Sequence, residues 1–402
     1  MKYSFCILTA AIVFFTRETL SQTLSVYELE PITSTVNRTV SFGDDTGTLE
    51  VITHEMIKQG NYKNVSEVLR TIPGIYYVSE SILGNRSTES NTGSKIRIRG
   101  KGAKLLIDGR PMNMAIFGCL TNNMLTLDHV ERIEVTRGSE SVLYGSDGLG
   151  GVINIITREP NEFGGEFQVQ GGGYSTVISS FSHDNTIGPF GYFVSGSLKR
   201  SDGYRGDSDY ADENGYAKMN YRINESTKIE SSLNMYNGNW NDPGTLYNPQ
   251  ADFWANFKRR HSDITLKGKS KTASYTIKAF HNEGHHIFTD QDGWQSRDYT
   301  NGLKADMVKN FTGGKNRLIF GADGRWLGGK ALVDDAKYNS SGFKFWLNNE
   351  KWYRENEMAL FASDRQILMD GRLLLIGGAR IIRNSGFGTF FCPKIGATIN
   401  GG

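Results

Sequence analysis

The chain has 402 residues, with 45 lysines and arginines against 43 aspartates and glutamates for a formal charge of +2. Its 3 cysteines cannot build a disulfide framework, and the near-neutral charge offers no broad basic surface for nucleic acid. A helical membrane bundle is excluded too: the only long apolar run sits at the N-terminus, while 47 glycines exceed the usual ~7% without the proline of collagen.

Met1 and Lys2 followed by an apolar run to Phe15 read as a signal peptide over residues 1–22, cut between about Thr19 and Thr23. The run falls short of the ~20 residues a span requires. Export leaves Cys119 and Cys392 as two unpaired thiols in different regions. Residues 23–47 form an N-terminal segment. From 48 to 160 the spacing predicts a compact mixed domain. Thr53 caps a helix to Gln59 that ends on a left-handed Gly60, and Asn64 caps a second over residues 65–70, with Glu67 reaching back, before Pro73-Gly74 stops it. Strands follow at 95–99, at 104–107 turning at Asp108-Gly109, and at 130–136. The glycines of 144–151 lead into a β-branched strand, 152–157. They lack both the Lys-Ser/Thr and the G-x-G-x-x-G spacing of a phosphate loop.

From residue 161 to the end the chain reads as about a dozen antiparallel strands, each alternating apolar with polar or small residues. Phe190, Tyr192, Val194 and Leu198 oppose Gly191, Phe193, Ser195 and Lys199; Ile229, Leu233 and Met235 oppose Glu230, Ser232 and Asn234; Tyr275, Ile277 and Ala279 oppose Thr276 and Lys278. A soluble sandwich would alternate as well. Short turns at 188–189, 224–226, 270–272, 313–314 and 370–371 interleave with long polar loops at 202–214, 238–256, 289–296 and 328–350, and that interleaving favours a membrane barrel with its short turns in the periplasm.

Five collinear blocks carry a family resemblance: Leu69-Arg70-Thr71-Ile72-Pro73-Gly74-Ile75, Ile96-Arg97-Ile98-Arg99-Gly100, Leu106-Ile107-Asp108-Gly109-Arg110-Pro111, residues 130–135 with Arg137-Gly138, and residues 144–155. In order and spacing they resemble the plug domain of TonB-dependent outer-membrane receptors. Glu30, Pro31, Ile32, Thr33, Ser34, Thr35 and Val36 resemble the TonB box. The resemblance implies a mixed α+β plug followed by antiparallel transmembrane strands of a barrel that closes with 22. The expected dozen therefore reads as the N-terminal part of a truncated barrel. A true 12-strand barrel would be too narrow for such a plug.

The resemblance implies location in the outer membrane, lipid around the barrel, an extracellular metal chelate as ligand, and energy delivered by a TonB partner through strand addition at the box. A ferric siderophore is the leading cargo, with cobalamin (vitamin B12) or haem as alternatives and a non-transporting truncated remnant as a third. A transducer would carry a further domain ahead of the box. The family's locking arginines fall on Arg99 and Arg137, facing barrel-wall glutamates. Outward plug loops offer Asn85, Arg86, Met114, Phe117, Asn122 and Asn123 as ligand contacts.

Carboxylates at Asp207, Asp209 and Asp212 suggest a calcium site, although the spacing departs from the EF-hand and a solvated acidic loop is the plainer reading. His281 and His285 share a strand face while His286 points away, and about 13 Å of strand separates the first two, so scattered rim polarity outweighs a metal site. No Gly-x-Ser-x-Gly elbow or His-Glu metal motif points to an enzyme.

Overall fold

The structure, a computed structural model, describes residues 48–62, 64–76, 96–112, 126–138, 141–145, 148–241, 243, 254–288, 294–333 and 352–399. The expected signal peptide, the TonB box at residues 30–36, Cys119 and the six ligand candidates (Asn85, Arg86, Met114, Phe117, Asn122 and Asn123) lie outside the described residues.

Thr53 caps α1 (His54–Gln59), its hydroxyl accepting from the Met56 N–H. Gly60 is not the left-handed terminator. It keeps helical angles (φ −74°), and Asn61 takes φ +50° one residue later. Asparagine tolerates that conformation because its short polar side chain bonds locally. At α2 (Val65–Arg70) Asn64 Oδ1 accepts the Glu67 N–H at 3.0 Å, and Val65, Val68 and Leu69 are fully buried.

These helices pack on a five-stranded sheet in the order β1-β7-β8-β5-β6. Its strands are β1 (Thr48–Thr53), β5 (Lys104–Ile107), β6 (Arg110–Pro111), β7 (Val130–Arg137) and β8 (Gly151–Thr157). Only β5 and β8 run parallel; the other pairs are antiparallel. Every residue of β5 and β8 is buried, as a sheet covered on both faces demands. The same cover buries Glu134 beside Ile133 and Val135, so the expected alternation of β7 is lost. Arg132 Nε donates to Glu134 at 2.9 Å. Gly151 has φ +140°, and a Cβ there would meet the Thr136 carbonyl oxygen at 2.2 Å, so only glycine fits where β8 leaves the loop.

The strand expected over 95–99 is shorter. β2 (Ile75–Tyr76), β3 (Arg97–Ile98) and β4 (Lys101–Gly102) form a small sheet, and positive φ at Arg99 and Gly100 reverses the chain directly after Ile98. A short helix not read from the glycine-rich sequence, α3 (Ser141–Tyr144), buries Val142 and Leu143 against Val308, Ile319 and Phe361.

The remaining chain is one twelve-stranded antiparallel sheet in sequence order. It comprises β9 (Gly164–Gly172), β10 (Thr176–Ile187), β11 (Phe190–Ser201), β12 (Tyr210–Asn224), β13 (Thr227–Asn241), β14 (Trp254–Lys269), β15 (Ala273–Phe288), β16 (Trp294–Phe311), β17 (Asn316–Val333), β18 (Tyr353–Leu368), β19 (Leu373–Asn384) and β20 (Gly388–Ile399). The five short turns fall between consecutive strands at the expected positions. β9 and β20, at the two ends, are not paired with each other among the described residues.

One face is polar and covered by the plug. Ser195, Lys199, Glu230, Ser232, Asn234 and Lys278 are buried there, while Leu198, Ile229, Leu233, Met235, Tyr275 and Ile277 stand exposed on the other. Apolar outside and polar inside is the pattern of a wall between lipid and lumen. The first outer loop is shorter than the expected 202–214, because β12 already begins at Tyr210. Asp212 belongs to that strand, pointing to the lumen with only 5% exposure.

Candidate functional site: the contact between plug and wall

The tight turn between β5 and β6 carries the densest contact. Asp108 and Gly109 adopt φ +47° and +77°, the paired left-handed geometry of a two-residue hairpin turn, which aspartate and glycine tolerate best. Gly109 N–H donates to Asn154 Oδ1 at 3.0 Å, and Asp108 accepts from the Thr157 N–H at 3.0 Å and the Thr157 hydroxyl at 2.5 Å, so β8 holds the turn from within the plug.

Four wall strands, β12 and β14 to β16, hold it from outside, and β13 supports β14. Arg110 Nη1 donates to Asp263 of β14 at 2.8 Å, with side-chain exposures of 2% and 5%. Asp263 also accepts from Lys278 of β15 at 3.0 Å and from Ser232 of β13 at 2.6 Å. Lys304 of β16 donates to the Gly109 carbonyl at 3.3 Å, and Asn282 of β15 to the Pro111 carbonyl at 2.9 Å. On β12, Lys218 lies 3.7 Å from Asp108 and donates to Thr157 and Glu159 at 3.0 Å each, while Tyr216 donates to Thr157 at 2.8 Å and stacks on His129 with ring centres 4.3 Å apart.

Buried charges of both signs therefore meet in near balance. Burial by itself would push the Asp108 carboxyl up, but Lys218, Lys278 and the two Thr157 hydrogen bonds outweigh it and hold the group below the usual carboxylate range. Burial lowers His129 to about 4, with Lys218 and Arg110 adding to the effect against the carboxylates of Asp128 and Asp108. Its ring is a neutral stacking partner for Tyr216 at ordinary pH. Such a network is expensive to break from one side, because the remaining charge is left buried without its counter-ion.

The two arginines expected to lock the plug sit elsewhere. Arg137 pairs with Glu50 of β1 and donates to the Pro73 carbonyl at 3.1 Å, so its carboxylate partner lies in the plug's own sheet, not in the wall. β1 runs antiparallel beside β7 and brings Glu50 within reach, a pairing that sequence spacing does not reveal. Arg99 is exposed at its turn, its N–H bonded to the Gly74 carbonyl at 2.8 Å. The pairs not read from the sequence, Arg110–Asp263 and Asp108–Lys218, had a signal: polar residues at inward positions of alternating strands facing the 106–111 block.

The calcium candidates diverge. Asp207 lies in a turn at φ +54°, Asp209 accepts from Asn241 at 2.5 Å, and Asp212 accepts from the Tyr210 hydroxyl inside the lumen. No group of three metal-ligating side chains gathers among the described residues. His281 and His285 do share the outward face, but His286 is fully buried on the inner one. It stands beside Arg259, which is paired with Asp298 at 2.6 Å, and its ring centre is 4.3 Å from that of Phe257.

Comparison with known proteins agrees with this geometry. Residues 43–152 match the model of the TonB-dependent receptor plug domain. The iron-regulated outer membrane virulence protein of Vibrio cholerae is 25% identical over 384 residues, covering 86% of this chain and 53% of that protein. The vitamin B12 transporter BtuB of Photobacterium profundum is 36% identical over 128 residues, 31% of this chain and 20% of the relative. The ferric enterobactin receptor PirA of Pseudomonas aeruginosa is 30% identical over 258 residues, 55% of this chain and 33% of the relative. A crystal structure of the siderophore receptor PirA from Pseudomonas aeruginosa shares the fold at a TM-score of 0.66 and 19% identity, covering 88% of this chain and 59% of that one. The chain thus spans about half the length of the first of these relatives. Residues 43–152 are thus a TonB-dependent receptor plug domain, and the wall that follows them shares the fold of the solved outer-membrane siderophore receptors.

Proposed function

We propose that this chain provides the plug and wall strands of a receptor that imports a ferric siderophore with energy supplied by a TonB partner. The observation that carries the reading is the clamp on residues 108–111. A hairpin held by buried ion pairs and hydrogen bonds from four wall strands is expensive to pull free from one side, so passage requires work on the plug. That work enters at residues 30–36, which pair with the partner by main-chain strand addition. Asn85, Arg86, Met114, Phe117, Asn122 and Asn123 take the ligand side, and Arg99 and Arg137 brace the plug. Two relatives named for iron support the siderophore, and the vitamin B12 transporter similar over 128 residues keeps cobalamin as the second reading.

Deleting residues 30–36 tests the proposal in cells carrying the receptor. Uptake of radiolabelled ferric enterobactin, or of labelled cobalamin in the second arm, is expected to fall to background while surface binding persists. Uptake that survives the deletion, or binding of neither probe, overturns it.

A further inference from the structure

His261 on β14 is a buried wall residue two places from Asp263, and both side chains stand on the lumen face of the strand. It is 1% exposed and lies directly opposite Asn282 of β15, itself 2% exposed. Asn282 Nδ2 donates to the Pro111 carbonyl at 2.9 Å, and His261 Nδ1 lies 3.0 Å from Asn282 Oδ1. These two contacts settle where the protons are. The Pro111 carbonyl can only accept, so the Asn282 amide turns its NH2 to the plug and its oxygen to His261. That oxygen can only accept as well, so His261 carries a proton on Nδ1 and donates it.

The other ring nitrogen, Nε2, is buried without a hydrogen-bond partner, so the ring makes a single hydrogen bond. A buried imidazole with one nitrogen unpaired costs stability relative to an apolar side chain of similar volume. What it supplies, and leucine does not, is the one N–H that holds the amide of Asn282. Without it the amide is free to turn its oxygen inward, where it would face the Pro111 carbonyl oxygen and the bond between wall and plug would be lost. The place of that bond gives it a use. Pro111 ends β6, and the N–H of the next residue, Met112, donates to the Leu105 carbonyl at 3.1 Å, so the plug sheet holds this point from within and Asn282 from the wall. Residues 113–125 follow directly, and they include Met114, Phe117, Asn122 and Asn123, the proposed ligand contacts.

We infer that His261 is a positioning residue for cargo recognition: by orienting Asn282 it fixes Pro111, the point from which the segment carrying the proposed ligand contacts leaves the plug. The inference rests on the import function proposed above. His261 touches no cargo and acts only through Asn282.

The test compares H261L, H261N and N282L with the parent in the full receptor purified from outer membranes, with ferric enterobactin and labelled cobalamin as probes. H261N keeps an amide N–H close to the place of Nδ1, whereas H261L and N282L remove the bond. Affinity for whichever probe the parent binds is expected to fall about tenfold in H261L and N282L and to stay within about threefold of the parent in H261N. A residue that only filled space would give the reverse order, since leucine matches the volume of the ring better than asparagine does. Binding by H261N no better than by H261L therefore overturns the inference. A second readout needs no cargo. Cys119 lies within residues 113–125, and its rate of modification by a maleimide, resolved from that of Cys392 by peptide mass spectrometry, should shift severalfold in H261L and N282L but not in H261N. Equal rates in all four proteins overturn the positioning role whatever the cargo is. A parent that binds neither probe sinks the import reading instead, and the Cys119 rates still decide the role of His261. Heat-modifiable migration reports whether each variant barrel has formed. Should H261L not fold, N282L decides, and parent-like binding with a parent-like Cys119 rate overturns the inference.

Discussion

Asp263 is the residue on which plug and wall depend most directly, because it neutralises Arg110 across the interface while accepting from Lys278 and Ser232. Asp263→Ala leaves two buried cations facing each other and should destabilise the plug by about 3–5 kcal/mol, measured as a shift in its urea midpoint relative to the parent. An unchanged midpoint would mean that the pair is worth no more than a surface contact. His129 gives a pH signature at the same place. Its folded-state pKa of about 4 lies below its ordinary 6.5. Above pH 6.5 the ring is neutral in both states. As pH falls from 6.5 towards 4 the unfolded chain takes up a proton that the folded one refuses, so stability is lost across that window, by up to about 3 kcal/mol. His129→Gln should flatten this part of the stability curve, and parallel curves for the two proteins would remove His129 as its cause.

At the scale of elements, the wall strands divide their residues by parity, and the two sides obey opposite rules. Leu303, 49% exposed on the outward face of β16, is followed by Lys304, which is buried and bonded to the plug. Leu303→Lys therefore places a charge in lipid and should cost about 2–4 kcal/mol in folding into vesicles, although the neighbouring position is a lysine already. A neutral result would place this face in water. The plug elements follow local chemistry more than parity. Caps at Thr53 and Asn64 and the Asp108-Gly109 turn were legible in the sequence because each depends on a few adjacent residues. Helix α3 was not, since four residues have too little periodicity to announce a helix, and its Val142 and Leu143 find their partners only on distant strands.

For the whole molecule, the clamp holds the plug against the wall. Asp108→Asn combined with Arg110→Gln removes one charge of each sign from the turn, taking the carboxylate away from Lys218 and the guanidinium away from Asp263. Cells carrying this double variant are expected to become more susceptible to a large hydrophilic antibiotic such as vancomycin, with the receptor still present and heat-modifiable. Unchanged susceptibility would show that the plug is retained by its other contacts, among them α3 against β16 to β18 and Lys58 with Glu166 at 2.9 Å.

Alternation along β9 to β20, the five short turns and the glycine-rich plug blocks determined the architecture from the sequence alone, because each rests on periods and torsions set within a few residues. Which charges meet was decided only by the tertiary structure. Arg110 and Asp263 stand 153 residues apart, and no local rule pairs them. Arg137 met Glu50 instead of a wall glutamate because sheet order, not spacing, placed β1 beside β7. Torsional preference acts on neighbours, whereas a Coulomb contact acts through space, and the fold alone converts one distance into the other.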